Sequence, residues 1–283
     1  MVVRWIVGNW LRQQVHAKVT EAVTEAARRS AEQGDAEDVG RCDIGVLCAL
    51  GVEAGALVDR LENVVSLQGQ GFTVHTGVLH QHRIVVVRSG PGQGAASQAT
   101  SALVAGHRPR WIISAGFAGG LRDELARDDF VMPSALVNEG GKVLRVDLQL
   151  GSQSESTPRV HGGRLLTVDR IVATPQEKRD LGRKHDAVAV DMESYAVAEV
   201  CQREKVRFLA VRAISDAVDE RLPPDLEKLM KPQSLAHRAG AVTGTLVRRP
   251  GSVKDMWKLK TSAWQTADRL GQFLTGVLQQ LPE

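Results

Sequence analysis

The sequence predicts an α/β fold, and three stretches of the chain support this prediction. One contains a short apolar, β-branched run at 187–190, a run with helical spacing at 195–203 and a second apolar run at 207–214. Buried strands have short apolar runs, whereas helices have apolar residues three or four apart. This stretch is therefore predicted as strand, helix, strand. An apolar run at 43–50 predicts a further strand, and the segment 111–120 is predicted as a strand that runs into a glycine-rich loop.

Length and composition narrow the class of protein. The 283 residues provide one large α/β domain or two small ones, and the hydrophobic content of 43% with 24% charged residues is typical of a soluble globular protein. A net charge of +3 without a basic stripe argues against nucleic acid as a partner. Cys42, Cys48 and Cys201 have no metal-ligand spacing. We expect a reducing, cytoplasmic location, since an odd number of cysteines forms no disulfide framework.

The two ends of the chain differ from its middle. Residues 1–41 are predicted as an amphipathic helix and an acidic, glycine-containing linker, 42–248 as the core domain, and 249–283 as a C-terminal amphipathic helix. Four of the five tryptophans lie in these ends: Trp5, Trp10, Trp257 and Trp264. Two interpretations are open. The terminal helices pack on the domain or on another subunit, or they contact a membrane surface, where tryptophan and lysine suit an amphipathic helix.

The elements of residues 43–106 follow from local patterns. The strand at 43–50 is followed by a helix that contains Glu53, and 72–79 with 83–88 predict a β-hairpin. A glycine-rich turn at 89–96 opens the next helix. Its G-x-G-x-G spacing, without an acid after a second strand, does not fit a dinucleotide cofactor, so no cofactor is expected.

The elements of the second half are predicted in the same way. The strand from Trp111 runs into a glycine-rich loop, a polar loop follows at 139–163, and a strand is predicted at 165–173. Thr174 is a predicted N-cap, with Pro175 at the first helical position and Glu177 as the N3 acid.

Acidic residues follow the two strands of the first stretch. Glu193 comes just after the strand at 187–190, and Asp216 ends the run from 207. In open α/β sheets, ligands bind at the carboxyl ends of the strands, so two acids there favour a functional site. Each acid also has a structural interpretation: Glu193 as a first-turn helix acid and Asp216 as an N-cap.

Three strings resemble the purine nucleoside phosphorylase and nucleosidase superfamily. VDMES at 190–194 and VRAISD at 211–216 are most similar to the methylthioadenosine/S-adenosylhomocysteine nucleosidases, whose pattern is roughly V-(D/E)-M-E-(A/S) and then V-R-A-I-S-D. IGVLCALGVE at 44–53 matches their I-G-x-x-x-A-M-x-x-E, with Leu50 in place of the Met. The resemblance covers about residues 42–248. It implies a single α/β domain with a central mixed sheet flanked by helices, and a homodimer.

The resemblance also implies roles for the three acids. Asp216 would be the general acid toward purine N7, Glu193 would accept hydrogen bonds from the ribose hydroxyls, and Glu53 would activate water. Ser215 would orient Asp216. Further residues implied in substrate binding are Met192, Ser215, Val172, Ile171, Phe117, Ala118, Gly119 and Pro91. No metal is expected.

The predicted function is hydrolysis of the N-glycosidic bond of a 5′-modified adenosine, which releases adenine. A phosphorylase is the alternative, although Ser114 stands where bacterial phosphorylases place an arginine for phosphate, and Phe117 stands where the family usually has serine. Arg212 either pairs with one of the three acids or binds phosphate. A nucleoside-binding protein without turnover is a further alternative. The stretch at 167–179 and the basic C-terminal helix resemble the hopanoid-associated branch, so a lipid-linked adenosine is also considered.

Overall fold

The structure is a computed structural model that describes residues 41–69, 71–146, 159–223 and 251–281, with side chains described outside 251–262. The predicted helix and linker at the N-terminus lie outside these ranges, except for residue 41. Part of the predicted loop at 139–163 also lies outside them.

The described residues form twelve strands and five helices. The strands are β1 (Ile44–Cys48), β2 (Glu62–Gln68), β3 (Thr73–Leu79), β4 (His82–Arg88), β5 (Trp111–Gly120), β6 (Phe130–Val131), β7 (Ala135–Asn138), β8 (Val143–Arg145), β9 (Val160–His161), β10 (Arg164–Thr167), β11 (Ala189–Asp191) and β12 (Arg207–Asp216). The helices are α1 (Gly51–Val58), α2 (Gln93–His107), α3 (Pro175–His185), α4 (Ser194–Glu204) and α5 (Gly251–Gln279).

The strands form one branched, mixed sheet, and β5 is its branch point. Along the first half of β5, β1 and β12 pair with it in parallel on either side, and β4 extends the sheet beyond β1. The end of β5 pairs with the antiparallel strand β11, which leads to β10 and β7. The predicted central mixed sheet flanked by helices is confirmed.

Three predictions about individual elements need correction, and an edge strand was not predicted. The loop predicted at 139–163 contains the short strands β8 and β9, which pair with β7 and β6. The glycine-rich segment after Trp111 is strand up to Gly120, because β12 and β11 pair with it there. The strand predicted at 165–173 ends at Thr167. Strand β2 was not predicted. It lies at the edge of the sheet and its residues are exposed, so its sequence lacks the apolar alternation of a half-buried strand.

Local sequence explains where α3 begins and ends. Thr174 has extended backbone angles, and its hydroxyl accepts a hydrogen bond from the backbone N–H of Glu177. Pro175 occupies the first helical position, where its missing N–H costs nothing. The helix ends at Asp186, which has left-handed backbone angles. The predicted N-cap is confirmed, and it fixes the position of the helix.

The C-terminal helix packs on the core of the described domain. In its described part, Leu270 and Leu274 are fully buried in the apolar cluster that also contains Leu57 of α1. Phe273 stacks on Phe130 with ring centroids 4.1 Å apart. A Cβ on Gly271 would lie 2.5 Å from the carbonyl oxygen of Ala56, so glycine allows α5 to approach α1 closely. This half of the helix therefore fits the packing interpretation. Across the ranges with described coordinates, no helix is long and apolar enough to cross a membrane.

Candidate active site

Glu53 is a buried carboxyl group held by two backbone N–H groups. It lies in the first turn of α1 and is 3% exposed. Its Oε2 accepts a hydrogen bond from the N–H of Leu50 (2.7 Å), and its Oε1 accepts one from the N–H of Phe117 in β5 (2.9 Å). Burial raises the pKa of Glu53 above its ordinary value, while these hydrogen bonds and Arg212 act in the opposite direction. A carboxyl group with a raised pKa is a better proton acceptor than an exposed one, which suits Glu53 to take a proton from a reacting group.

Gly116 makes room for Glu53. A Cβ at this position of β5 would lie 2.8 Å from Oε1 of Glu53, closer than real Cβ contacts occur. Any larger residue would push the carboxyl group away from the Phe117 N–H. The glycines of β5 are therefore required by the close approach of an acid to the strand.

Glu193 lies between β11 and α4, where it is the N-cap residue of the helix. Its Oε1 accepts a hydrogen bond from the backbone N–H of Gly92, at the turn before α2. Burial, followed by the nearby charge of Asp191, raises the pKa of Glu193 to about 8. The charge of Arg212 and the hydrogen bond from Gly92 lower this pKa, and the charge of Glu53 raises it. The acids Glu53, Glu193 and Asp191 therefore share one electrostatic environment around Arg212.

Arg212 forms a buried ion pair, but not with one of the three predicted acids. Its Nε and Nη2 both donate to Oδ2 of Asp191, at 2.9 and 2.7 Å, and Nη2 also donates to the hydroxyl of Ser114. Oδ1 of Asp191 accepts a hydrogen bond from Thr167. The prediction that Arg212 pairs with one of the three candidate acids was wrong, because its ion-pair partner is Asp191. The charge of this arginine is therefore already matched inside the protein.

Asp216, the last residue of β12, is 3% exposed. Its Oδ1 accepts a hydrogen bond from the hydroxyl of Ser215 (2.6 Å), which matches the expected orienting contact. Its Oδ2 lies 2.6 Å from the ammonium group of Lys178. A Cβ on Gly119 would come within 3.1 Å of the same oxygen. The Asp216 carboxyl group is thus held by Ser215 and Lys178, and Gly119 leaves room for it beside β5.

Glu53 and Asp216 both lie against β5, in an arrangement that the sequence did not predict. The prediction placed Glu193 and Asp216 at the carboxyl edge shared by neighbouring strands. In the structure, β12 is parallel to β5 and brings Asp216 opposite Gly119, whereas β11 is antiparallel and brings Val190 opposite the same glycine. The carboxyl ends of β11 and β12 therefore reach β5 from opposite directions. Glu53 meets β5 at Gly116, about 10 Å along the strand from Gly119.

The other predicted residues lie on β5 or β12 or in loops that precede helices. Phe117, Ala118 and Gly119 are consecutive residues of β5, and the carbonyl of Ala118 accepts a hydrogen bond from Ser215. The remaining four lie in loops: Pro91 before α2, Ile171 and Val172 before α3, and Met192 before α4. Val172 is buried with the apolar cluster around Leu166, and the other three are half-buried.

Two buried residues beside the site were not predicted. Asp191 is part of the VDMES string, and the arginine inside the apolar run at 207–214 was a signal that a buried acid must pair with it. Lys178 is 0% exposed, although its position in a polar helix suggests a solvated side chain. No local pattern identifies such a lysine. In the part of the chain that the structure describes, no cluster of three or more His, Cys, Asp or Glu could hold a metal ion.

A comparison with protein families decides the relationship of this chain. The model of the phosphorylase superfamily matches residues 43–248. The chain belongs to this superfamily. The match contains Glu53, Glu193 and Asp216, as well as the loops that carry the other predicted residues.

Named relatives within the superfamily are nucleosidases. A 5′-methylthioadenosine/S-adenosylhomocysteine nucleosidase of Shewanella sediminis is 28% identical over 210 residues, covering 66% of this chain and 91% of the relative. The same enzyme of Tolumonas auensis is 28% identical, covering 66% and 92%.

Solved structures share the superfamily fold. The Helicobacter pylori 5′-methylthioadenosine/S-adenosylhomocysteine nucleosidase has a TM-score of 0.62 at 21% identity, covering 86% of this chain and all of that one. A futalosine hydrolase of Helicobacter pylori has a TM-score of 0.61 at 20% identity, covering 84% and 98%.

Proposed function

We propose that this chain is a nucleosidase that hydrolyses the N-glycosidic bond of an adenosine modified at its 5′ carbon and releases adenine. The observation that carries the proposal is the pairing of the buried charges. Glu53 is a buried acid without an ion-pair partner in the described structure, whereas the charge of Arg212 is matched by Asp191. This arrangement favours a neutral nucleophile such as water over phosphate, which an unneutralised carboxylate repels.

Three carboxyl groups carry out different parts of the proposed hydrolysis. The leaving purine needs a proton at N7, because a neutral base leaves more readily than an anion, and we assign this proton to Asp216. Glu193 holds the ribose hydroxyls. Glu53 takes a proton from the attacking water as the C1′–N9 bond breaks. A positioned acid or base contributes about 10²–10⁴-fold in rate.

The substrate class follows from the named relatives. Methylthioadenosine and S-adenosylhomocysteine both carry a thio substituent at the 5′ carbon, and the two similar nucleosidases take their names from them. Because a futalosine hydrolase shares the fold, futalosine belongs in the substrate panel, together with a lipid-linked adenosine.

We also propose a homodimer in the cytoplasm, with residues 42–248 as the catalytic domain and peripheral membrane contact through the terminal helices. Trp264 of α5 is 58% exposed, which supports a contact on that side of the helix.

The purified protein should release free adenine from methylthioadenosine in phosphate-free buffer. Glu53→Gln should lower kcat by about 10²–10⁴-fold, because its amide cannot accept a proton from water. Liquid chromatography of the products, with and without phosphate, measures both effects. Glu62→Gln is the control, because Glu62 is exposed on β2.

Two outcomes would contradict this function. Release that requires phosphate and yields a ribose 1-phosphate would identify a phosphorylase. Nucleoside binding in calorimetry without release of base would identify a binding protein.

A further inference from the structure

Lys178 and Asp216 form an ion pair that is closed off from solvent. The ammonium nitrogen of Lys178 lies 2.6 Å from Oδ2 of Asp216, and the two side chains are 0% and 4% exposed. Taking both charges out of water has a large desolvation cost, which close pairing and further hydrogen bonds must offset. A lysine in this position is therefore unlike the exposed lysines of a solvated helix face.

The ammonium group of Lys178 also forms hydrogen bonds with the chain just after Asp216. Its Nζ donates to the carbonyl oxygens of Ala217 (2.6 Å) and Glu220 (2.8 Å). The ammonium group therefore makes two hydrogen bonds to backbone carbonyls in addition to its ion pair with Asp216. Lys178 thus links α3 to the end of β12 and to the turn that follows this strand.

These contacts fix the direction of the Asp216 carboxyl group. Ser215 donates to Oδ1 and Lys178 contacts Oδ2, so each oxygen has a partner of its own. Gly119 faces Oδ2 without a side chain, and a Cβ there would lie only 3.1 Å away. Rotation of the carboxyl group would break the contact with Lys178 or the one with Ser215.

We propose that Lys178 is a positioning residue for Asp216 in the release of the base, an inference that rests on the proposed function. Asp216 first takes up a proton from bulk water. In the reaction step this O–H bond breaks, an N–H bond forms at purine N7, the electron pair of the C1′–N9 bond passes to the base, and the ion pair with Lys178 forms again. The carboxyl group becomes a carboxylate, while Lys178 keeps its protons. An ammonium 2.6 Å away interacts more strongly with this developing negative charge than with the neutral acid. Lys178 therefore stabilises the transition state through Asp216.

Lys178→Met is the first test, because methionine is similar in length and carries no charge. We expect kcat for adenine release to fall by about 10–10²-fold, while KM changes by less than about threefold. The matched control is Arg179→Met. Arg179 is the next residue of α3 and pairs with Asp123 at the surface, so its loss should leave kcat unchanged.

The second test separates a role through Asp216 from a structural role of the Ala217 and Glu220 contacts. Asp216→Asn and the double variant Lys178→Met/Asp216→Asn are compared, because the double variant removes both buried charges and leaves none unpaired. If Lys178 acts through Asp216, the two should have the same kcat within about threefold. A further loss of about tenfold in the double variant would overturn the proposal. This comparison decides the question even if Lys178→Met alone does not fold, and circular dichroism checks the fold of each variant.

The wild type distinguishes failure of this inference from failure of the proposed function. An active wild type with an equally active Lys178→Met variant would overturn only the role of Lys178. A wild type that releases no base from any nucleoside of the panel would overturn the proposed function and, with it, this role.

Discussion

At the scale of single residues, the buried acids depend on backbone N–H groups as much as on side chains. The backbone N–H of Gly92 is a donor to Glu193, and the N–H groups of Leu50 and Phe117 bind Glu53. A backbone donor cannot be removed by a side-chain substitution, so these contacts persist in most variants. The acids themselves are therefore the informative positions for mutation.

The pH dependence of stability should report on Glu193. Its pKa rises from an ordinary value of 4.5 to about 8 on folding, so the folded state holds more protons between these values. The free energy of unfolding must therefore decrease as pH rises from about 5 to about 8. Burial of Glu53 acts in the same direction. Glu193→Gln removes one of these groups, and its Tm relative to wild type should increase over this range by roughly 3–10 °C.

Thermal unfolding of the ligand-free protein at several pH values measures this difference. Glu199→Gln is the control, since Glu199 lies on the same helix and its side chain is 54% exposed. Parallel Tm profiles of wild type and Glu193→Gln would show that Glu193 does not keep its proton in the folded protein.

At the scale of elements, α5 belongs to the core rather than to an appended tail. Leu274 is fully buried in the cluster that contains β1, α1 and part of β12. The hydroxyl of Thr266 donates to Asp128 before β6, which adds a polar contact near the middle of the helix. Among the described side chains of α5, the apolar residues from Leu270 onward are thus packed against the domain, whereas Trp264 is exposed.

Leu274→Ala should lower the free energy of unfolding by about 2–5 kcal/mol, because it leaves a cavity between α5 and the sheet. Urea unfolding followed by circular dichroism gives this value, provided that the slope with urea concentration is unchanged. Gln272→Ala is the control, because Gln272 is exposed on the same turn of the helix. Equal stability of the two variants would mean that α5 does not pack on the core in solution.

At the scale of the whole molecule, β5 holds together the two branches of the sheet and the parts of the site. Glu53 meets its middle, Asp216 lies opposite Gly119, and Arg212 lies opposite Gly116 in the register with β12. Glycines allow these approaches because they have no Cβ. The strand at the branch point of the sheet therefore also carries contacts to two of the three candidate acids.

Membrane contact and assembly are also properties of the whole molecule. If α5 touches a membrane, full-length protein should sediment with vesicles of anionic lipid, and Trp264→Ser should reduce the bound fraction at least about threefold, since tryptophan favours the headgroup boundary. Val65→Ser on the exposed strand β2 is the control, because Val65 has a similar exposure of 56% against 58% for Trp264. Equal sedimentation of Trp264→Ser and wild type would leave Trp264 without a membrane role.

Light scattering of the purified protein in the absence of vesicles gives its molar mass in solution, and the mass of a monomer would contradict the proposed homodimer.

The sequence by itself determined those features that local patterns encode. The strand–helix–strand at 187–216, the cap of α3 and the three candidate acids were predicted, because periodicity, capping and short motifs involve residues close together in the chain. The strings VDMES and VRAISD also indicated the superfamily that the family model shows.

Only the tertiary structure decided the partners of the buried charges and the direction of the strands. Arg212 pairs with Asp191 across 21 residues, and Lys178 reaches Asp216 across a loop, a strand and a helix. The alternation of a strand is the same whether it pairs parallel or antiparallel, so the reversal of β11 against β5 left no signal in the sequence. The glycines after Trp111 indicated a loop, because a residue without a Cβ suits a turn. Such a residue equally suits a strand that another group approaches closely, and the acids packed against β5 show that this second reason applies here.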